Sequence, residues 1–149
     1  MATVSLAYLN SVLPAPSTPI SALCAQASGT SMSLAISIPY TIPVNTVYSQ
    51  GLTDNGNHTF TATVAGVYRI TYNLNLTAAF ACSVSVALNG TNVSSLTQGV
   101  LAATSTVYAD SMISLAVGDT LTLTATAPAI GVLTLSTGLG AILSVVQLR

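Results

Sequence analysis

The sequence predicts an all-β fold, a sandwich or barrel of short strands, and three observations support this. Apolar and polar residues alternate along residues 59–77, so successive side chains point to opposite faces of a strand. The pair Asn89-Gly90 is a strong hairpin signal, and Gly118-Asp119 marks a further turn. Thr and Ser are abundant, and they give strands polar faces without charge. Many short strands separated by turns are typical of sandwiches and barrels.

The N-terminal segment differs in composition from the rest of the chain. An uncharged apolar start precedes a cluster of three prolines, and residues 20–29 follow them. The start is compatible with a strand, because Val4 and Leu6 alternate with Ser5. It is equally compatible with a short helix, because Leu6, Leu9 and Leu13 lie at helical spacing. Periodicity does not decide between the two over so few residues.

From residue 31 onward the pattern indicates strands. In the clearest segment Tyr68, Ile70 and Tyr72 share one face, and Arg69 lies on the other. Further strands are predicted over 33–38, 83–88, 107–117 and 120–126. The C-terminal run 139–148 is apolar on both faces, which is typical of a strand buried inside an assembly.

Charge is scarce, and this excludes several functions. The chain has 3% charged residues, against roughly 25% in an ordinary soluble domain. Its two basic residues are too few to neutralise phosphates or to form a polybasic membrane patch, so neither nucleic acid nor an anionic membrane is an expected partner. Prolines and glycines interrupt the long uncharged stretches, so membrane insertion is not predicted either.

Catalytic, metal and cofactor sites are not expected. His58 is the only histidine, and it is predicted to be a surface loop residue. No Gly-x-Ser-x-Gly motif surrounds a serine, and the three Asp residues are not adjacent. The sequence therefore does not predict an enzyme.

Two cysteines, Cys24 and Cys82, leave two interpretations open. They lack the spacing of a metal or thioredoxin-type motif. Both are compatible with buried small hydrophobes. The alternative is a disulfide, within or between chains, in an oxidising extracellular setting.

A family resemblance lies in the central segment. The pattern Phe60-x5-Gly66-x-Tyr68-x-Ile70-x-Tyr72 resembles the central signature of the C1q/tumour-necrosis-factor-like jelly-roll family, with Ile70 in place of its usual Phe. The Leu-Asn-Gly turn at 88–90, the segment 115–123 and the closing segment 138–143 are further landmarks of that family, and they follow in the same order. The Thr- and Ala-rich composition is most similar to the head domains of collagen-like exosporium glycoproteins of Bacillus and Clostridium spores.

The resemblance covers roughly residues 32–149, and it implies an antiparallel jelly-roll sandwich that assembles as a homotrimer. It divides the chain into an N-terminal extended connector arm, residues 1–31, and a C1q/TNF-like jelly-roll domain, residues 32–149. Some relatives hold calcium through acidic residues near the trimer apex. Asp54, Asp110 and Asp119 are far apart in this sequence, so that site is not expected here.

The trimer is expected to bury apolar surface that one sandwich does not hide, because 51% of the residues are hydrophobic. Obligate interfaces resemble a divided hydrophobic core. The candidate trimer-core residues are the large apolar ones of the central and last strands: Phe60, Tyr68, Tyr72, Leu143 and Val145.

The predicted function is structural. The chain is expected to be a self-assembling trimeric subunit of a filament or exosporium layer on the surface of a bacterial spore. Its main partner is itself, with other spore surface proteins as further partners. Trimers are expected to join through the arm, whose candidate docking residues are Val4, Leu6, Tyr8, Leu9 and Leu13. The other interpretation of the arm is that it folds back on its own trimer. The alternative is a trimeric C1q-like head that binds a receptor or ligand at a spore or cell surface.

Overall fold

The computed structural model describes residues 20–149, and its regular structure is β apart from one short 3-10 turn at Ser94–Leu96. The all-β prediction is therefore confirmed for this part of the chain. In chain order the strands are β1 (Ala22–Ala27), β2 (Ser31–Leu34), β3 (Tyr40–Thr41), β4 (Asn45–Gln50), β5 (Leu52–Asp54), β6 (Thr59–Ala62), β7 (Gly66–Ala78), β8 (Cys82–Leu88), β9 (Thr91–Asn92), β10 (Gln98–Val100), β11 (Thr106–Leu115), β12 (Thr120–Thr126), β13 (Gly131–Leu135) and β14 (Ala141–Gln147).

The strands form two antiparallel sheets that pack face to face. The first sheet has the order β2-β13-β7-β14-β1-β4, with β11 paired to the free side of β7. The second has the order β10-β8-β12-β6-β5, with β3 beside β12 and β9 beside β8. The longest strand, β7, has thirteen residues and lies at the centre of the first sheet. Buried and more exposed residues alternate along most of its length.

Period-two alternation produces the hydrophobic core. Along β7 the side chains of Tyr68, Ile70, Tyr72 and Leu74 point inward and are buried. They meet the inward residues of β12 and β8, among them Leu123, which comes from the opposite sheet. The outward residues of the same strands are polar on both faces of the sandwich. Apolar burial of this kind contributes roughly 25 cal/mol per Å² of surface removed from water.

The boundary predicted between arm and domain is wrong for the residues that the structure describes. Strand β1 lies within residues 1–31, yet it is inserted between β14 and β4. Its inward side chains, Leu23 and Ala25, are fully buried in the common core. The jelly roll therefore already includes Ala22 and does not begin at residue 32. Pattern reading missed this strand because Ala and Cys give a weak alternation.

The two hairpin signals are confirmed as turns. Asn89 and Gly90 both have positive φ, 52° and 85°, as a tight hairpin between β8 and β9 requires. Gly118 has φ 93° in the turn before β12. The side chains of Asn89 and Asp119 join the two turns, since Asn89 Nδ2 donates to Asp119 Oδ1 at 3.0 Å.

The sandwich has two ends, at which the loops between the strands gather. The apical end consists of the loops 28–30, 35–39, 79–81, 101–105, 127–130 and 136–140. At this end β7 gives way to β8 and β13 pairs with the last residues of β7. The basal end holds Ile20, the turns 63–65 and 116–119, and Arg149. There Ser21 O accepts the N–H of Gln147 at 2.8 Å, so the first described residues lie beside the last ones.

Candidate assembly surfaces

The predicted trimer-core residues lie inside a single protomer. Phe60, Tyr68, Tyr72, Leu143 and Val145 are all 0% exposed, because each lies at an inward position of its strand. Their assignment to a contact between protomers is therefore wrong. The prediction failed because alternation tells which side chains share a face, but it does not tell which face of a sheet meets the second sheet.

Tyr72 shows the role that these residues have instead. Its hydroxyl donates across the sandwich towards Val84 O at 3.0 Å and Leu96 O at 2.8 Å. Burial raises the pKa of this phenol, so it remains a neutral donor. Tyr68 does the same near the basal end, where its hydroxyl donates to Val64 O at 2.7 Å. Both tyrosines therefore join elements of one protomer.

The two cysteines do not form a disulfide with each other within the protomer. Cys24 lies on the outer face of the first sheet, opposite Ser144 and Tyr48. Cys82 is buried at the start of β8, in the second sheet, and burial raises the pKa of its thiol. Because one thiol points outward and the other belongs to the core, an intrachain bridge is excluded. The interpretation as a buried small hydrophobe holds for Cys82.

The predicted docking residues of the arm, Val4, Leu6, Tyr8, Leu9 and Leu13, lie outside the described residues. The surfaces that residues 20–149 offer to a partner are the outer faces of the two sheets and the two ends of the sandwich.

The outer face of the first sheet is half apolar, and strands β4, β1, β14, β7 and β11 form it. Across its middle Tyr48, Cys24, Ser144, Thr71 and Asp110 stand opposite one another in register. Large side chains stand at both margins of this face. Tyr48 on β4 is 53% exposed, and Tyr108 and Met112 on β11 are 51% and 66% exposed.

One ion pair stands on this face. Arg69 Nε donates to Asp110 Oδ1 at 2.9 Å, and Arg69 Nη2 forms a further contact with Asp110 Oδ2. This contact holds the pKa of the Asp110 carboxyl below its usual value, with smaller contributions from Tyr108 and Thr71. Because the pair is neutral as a unit, the face carries no net charge.

An amide on the same face lacks a partner within the protomer. Asn73 lies between Ile142 of β14 and Tyr108 of β11 in the register. Its Oδ1 atom is shielded from water and accepts no hydrogen bond from the described residues. A shielded carbonyl without a donor is destabilising, so a donor from outside the protomer would be favourable here.

The outer face of the second sheet is hydroxylated. Thr120 stands opposite Thr61, and Thr122 stands opposite Thr59, with their Oγ1 atoms 3.1 Å apart in the second pair. On the other side of β12, Thr126 is paired with the exposed Ser83. This face has no large exposed apolar side chain, and hydroxyls on it form hydrogen bonds with one another. It is therefore suited to solvent.

The groups that could support chemistry are dispersed. Within residues 20–149 no three His, Cys, Asp or Glu side chains lie close enough to hold a metal ion together. The ring of His58 is engaged with the main chain, its Nδ1 3.1 Å from Val44 O. The same part of the chain contains no helix long and apolar enough to cross a membrane.

Sequence reasoning missed the outer-face residues Tyr48, Tyr108 and Met112. A signal for two of them was present, because residues 107–117 alternate and place Tyr108 and Met112 on the polar side of their strand. Large side chains at positions that alternation assigns to solvent indicate a contact surface. Tyr48 gave no such signal, because β4 does not alternate.

Comparisons with known proteins agree with this architecture. Mouse APRIL has a TM-score of 0.61 at 17% identity, over 87% of this chain and 100% of that one. The vertex protein P5 of PRD1 has a TM-score of 0.62 at 16% identity, covering 87% and 97%. The globular domain of zebrafish complement 1qA has a TM-score of 0.59 at 11% identity, covering 88% and 98%. At these identities the likeness shows the fold, which is the predicted C1q/TNF-like jelly roll.

The family is shown by sequence. No curated protein sequence matches the chain. The family model for the BclA C-terminal domain, in contrast, matches residues 23–149, and this span includes β1 except for Ala22, and every strand after it. The chain therefore belongs to the family of BclA C-terminal domains, the head domains of collagen-like exosporium glycoproteins.

Proposed function

We propose that this protein is a structural subunit of a spore surface filament or exosporium layer. In this proposal the jelly roll forms a homotrimer through the outer face of its first sheet, and the trimers then join through the N-terminal arm. Membership of the BclA C-terminal domain family supports the location on the spore. The homotrimer agrees with what the family resemblance implies.

The observation that carries the proposal is the contrast between the two outer faces. The first sheet exposes Tyr48, Tyr108 and Met112 around a neutral ion pair, whereas the second exposes Thr and Ser. An apolar face with no net charge is suited to contact with protein, and aromatic and Met side chains are enriched at such contacts. The unpartnered Asn73 Oδ1 on the same face supports the same interface.

The first test compares the oligomeric states of two variants, each with one added charge on a different outer face. Tyr108→Asp places an unpaired carboxylate in the proposed interface, and it is expected to give monomers or unfolded chains in analytical ultracentrifugation. Ser83→Asp places the same charge on the hydroxylated face, where Ser83 is exposed, and it is expected to remain trimeric. Trimers from both variants, or monomers from the unmodified protein, would overturn the proposal.

The second test concerns assembly beyond the trimer. Electron microscopy of the purified full-length protein is expected to show filaments or sheets, and these should be absent when Leu6 and Leu9 in the arm are changed to Asp. Discrete trimers of the unmodified protein would instead favour the alternative function, a head domain that binds a ligand.

A further inference from the structure

The apical end of the sandwich carries no charge. All five charged side chains of the chain lie elsewhere, namely Asp54, Arg69, Asp110, Asp119 and Arg149. Asp119 and Arg149 are basal, Arg69 and Asp110 lie on the outer face of the first sheet, and Asp54 ends β5. The surface of a protein in water normally mixes charges of both signs. An end without any is therefore unusual.

Large apolar side chains are exposed at this same end. Ile130 is 79% exposed and Leu101 is 71% exposed, and Ile36, Ile38 and Val132 are also exposed. They come from separate loops and from the start of β13, which the fold brings together, since Ile36 forms a bridge with Ala127, a few residues before Ile130. Exposed apolar side chains that are gathered in this way mark contact sites.

The floor of this surface is closely packed. The ring of Phe80, in the loop between β7 and β8, packs directly on Gly131 at the start of β13. A Cβ atom at Gly131 would lie 2.6 Å from the ring. Leu101 follows Val100, which pairs with Cys82 on the same side of the loop. These contacts lie within the protomer, so the surface exists before a partner docks. Little conformational entropy of its side chains and loops is then lost on binding.

The part of this chain that matches such a surface is the arm, which comprises residues 1–19 once β1 is counted in the domain. Residues 1–19 contain no charged residue, and they include the apolar run that ends at Leu13. The chain enters the described structure at Ile20, on the basal end, directly before Ser21 and its contact with Gln147. The arm therefore starts at the end opposite to its own apical surface. The prolines at 14, 16 and 19 favour a stiff, extended spacer of about 3.1 Å per residue.

The path from the base to the apex of the same protomer is unfavourable for an apolar arm. One route crosses the hydroxylated face of the second sheet, where Thr59, Thr61, Thr122 and Ser83 offer no apolar contact. The other route crosses the outer face of the first sheet, which the proposed trimer covers. An arm that points away from its own base reaches the apex of the next trimer without crossing either face.

We propose that the apical surface, built around Ile36, Leu101, Ile130 and Val132, is the acceptor for the N-terminal arm of another trimer. This inference rests on the proposed function, because it assumes that trimers form and that they join through the arm. It adds the partner surface and a direction, since donor and acceptor lie at opposite ends. Such a head-to-tail contact does not close on itself and gives a polar filament.

The test uses two full-length variants that each disable one half of the contact. Ile130→Glu places a charge in the acceptor and leaves the arm unchanged. Leu6→Asp with Leu9→Asp disables the arm and leaves the acceptor unchanged. Each variant alone is expected to give single trimers, and Ser83→Glu, with its charge on the hydroxylated face, is expected to form filaments as the unmodified protein does.

Mixing the two variants is the decisive measurement. The intact arm of one variant can dock on the intact apex of the other, but growth stops there. Mass photometry is therefore expected to show a new species of twice the trimer mass and nothing larger.

Two results would overturn the apical acceptor while the arm-dependent filament stands. They are single trimers only in the mixture, and normal filaments from Ile130→Glu. If Ile130→Glu abolishes filaments but the arm variant forms them, the apex binds the base of the next trimer directly, and the proposal is wrong. The proposed function is overturned by different results: no assembly of the unmodified protein, filaments from the arm variant, or trimers from both face variants described above.

Discussion

At Gly66 the main chain of the C-terminus comes so close that no side chain fits. A Cβ atom there would lie 2.3 Å from Arg149 O and 2.9 Å from Gln147 Nε2. The approach is fixed because Val67 N donates to Arg149 O at 2.8 Å. This is a physical reason for the glycine in the aromatic-x5-Gly-x-Tyr pattern. The glycine lets the last residues of the chain close over the start of β7.

Gly66→Ala is therefore expected to destabilise the fold by about 1–3 kcal/mol, the usual cost of inserting a methyl group into a filled space. Differential scanning calorimetry measures this as a lower Tm. Gly99→Ala is the matched control, since a Cβ atom at Gly99 would meet nothing within 4 Å. Equal Tm values for the two variants would contradict this account.

The buried hydroxyl of Tyr72 provides a second prediction at this scale. Tyr72→Phe keeps the ring and its packing but removes the donor to Val84 O and Leu96 O. Leaving buried acceptors without a donor costs about 1–3 kcal/mol. Chemical denaturation should show a lower midpoint with an unchanged slope. Tyr48→Phe is a suitable control, because Tyr48 is exposed and its hydroxyl bonds only to the half-buried Gln50 side chain among the described residues.

Acid stability depends on the carboxylates at the turns and strands. Asn89 Nδ2 and Ala116 N donate to Asp119 and hold its pKa below the usual value, and the pKa values of Asp54 and Asp110 are lowered as well. A carboxyl whose pKa is lower in the folded state stabilises the fold fully above its unfolded pKa of about 3.9. This contribution is lost as the pH falls through the pKa of the folded state.

The Tm is thus expected to decrease when the pH is lowered below about 4. Asp119→Asn should show a smaller fall, and an equal fall would exclude Asp119 as a contributor.

Among the elements, β1 decides where the domain begins. It fills the space between β14 and β4, and without it the first sheet would be divided. A chain that lacks residues 2–19 keeps every strand that the structure describes, and it is expected to melt cooperatively. A chain that lacks residues 2–27 also loses β1, and it is expected to be unfolded by circular dichroism. Cooperative melting of both chains at the same temperature would show that β1 is dispensable.

Strands were predictable where alternation is strong and less so where it is weak. The period of two along β7 predicted which side chains share a face, and the turn residues Asn89 and Gly118 predicted where strands end. Strand β1 was missed because Ala22, Cys24 and Ala25 differ little in polarity. The sequence alone does not determine whether Arg69 has a partner. Only the pairing of β7 with β11 placed it beside Asp110.

For the whole molecule, the sequence predicted a surface with little charge but not how that surface is divided. A sandwich has two outer faces and two ends, and alternation treats every outward position alike. The division into a half-apolar face, a hydroxylated face and an uncharged apex depends on which strands become neighbours. Those pairings join residues that are far apart in sequence, such as Thr59 and Thr122. This is why the predicted trimer core lay in the interior and the actual contact candidates were found only in the fold.

The position of Arg69 has a consequence for digestion. Proteases that cleave after basic residues have two sites to act on in this chain, Arg69 and Arg149, and Arg149 is the last residue of the sequence. Arg69 lies within β7, hydrogen-bonded between β14 and β11, and its side chain is held by Asp110. Cleavage requires an extended segment that can leave its sheet, and the central strand of a folded sandwich is the last to do so. Prolonged incubation with trypsin is therefore expected to leave the chain at full length on a denaturing gel, and it should be cut into two fragments only after unfolding. A spore coating of the proposed kind, built from such subunits, would therefore resist proteases that cleave after basic residues.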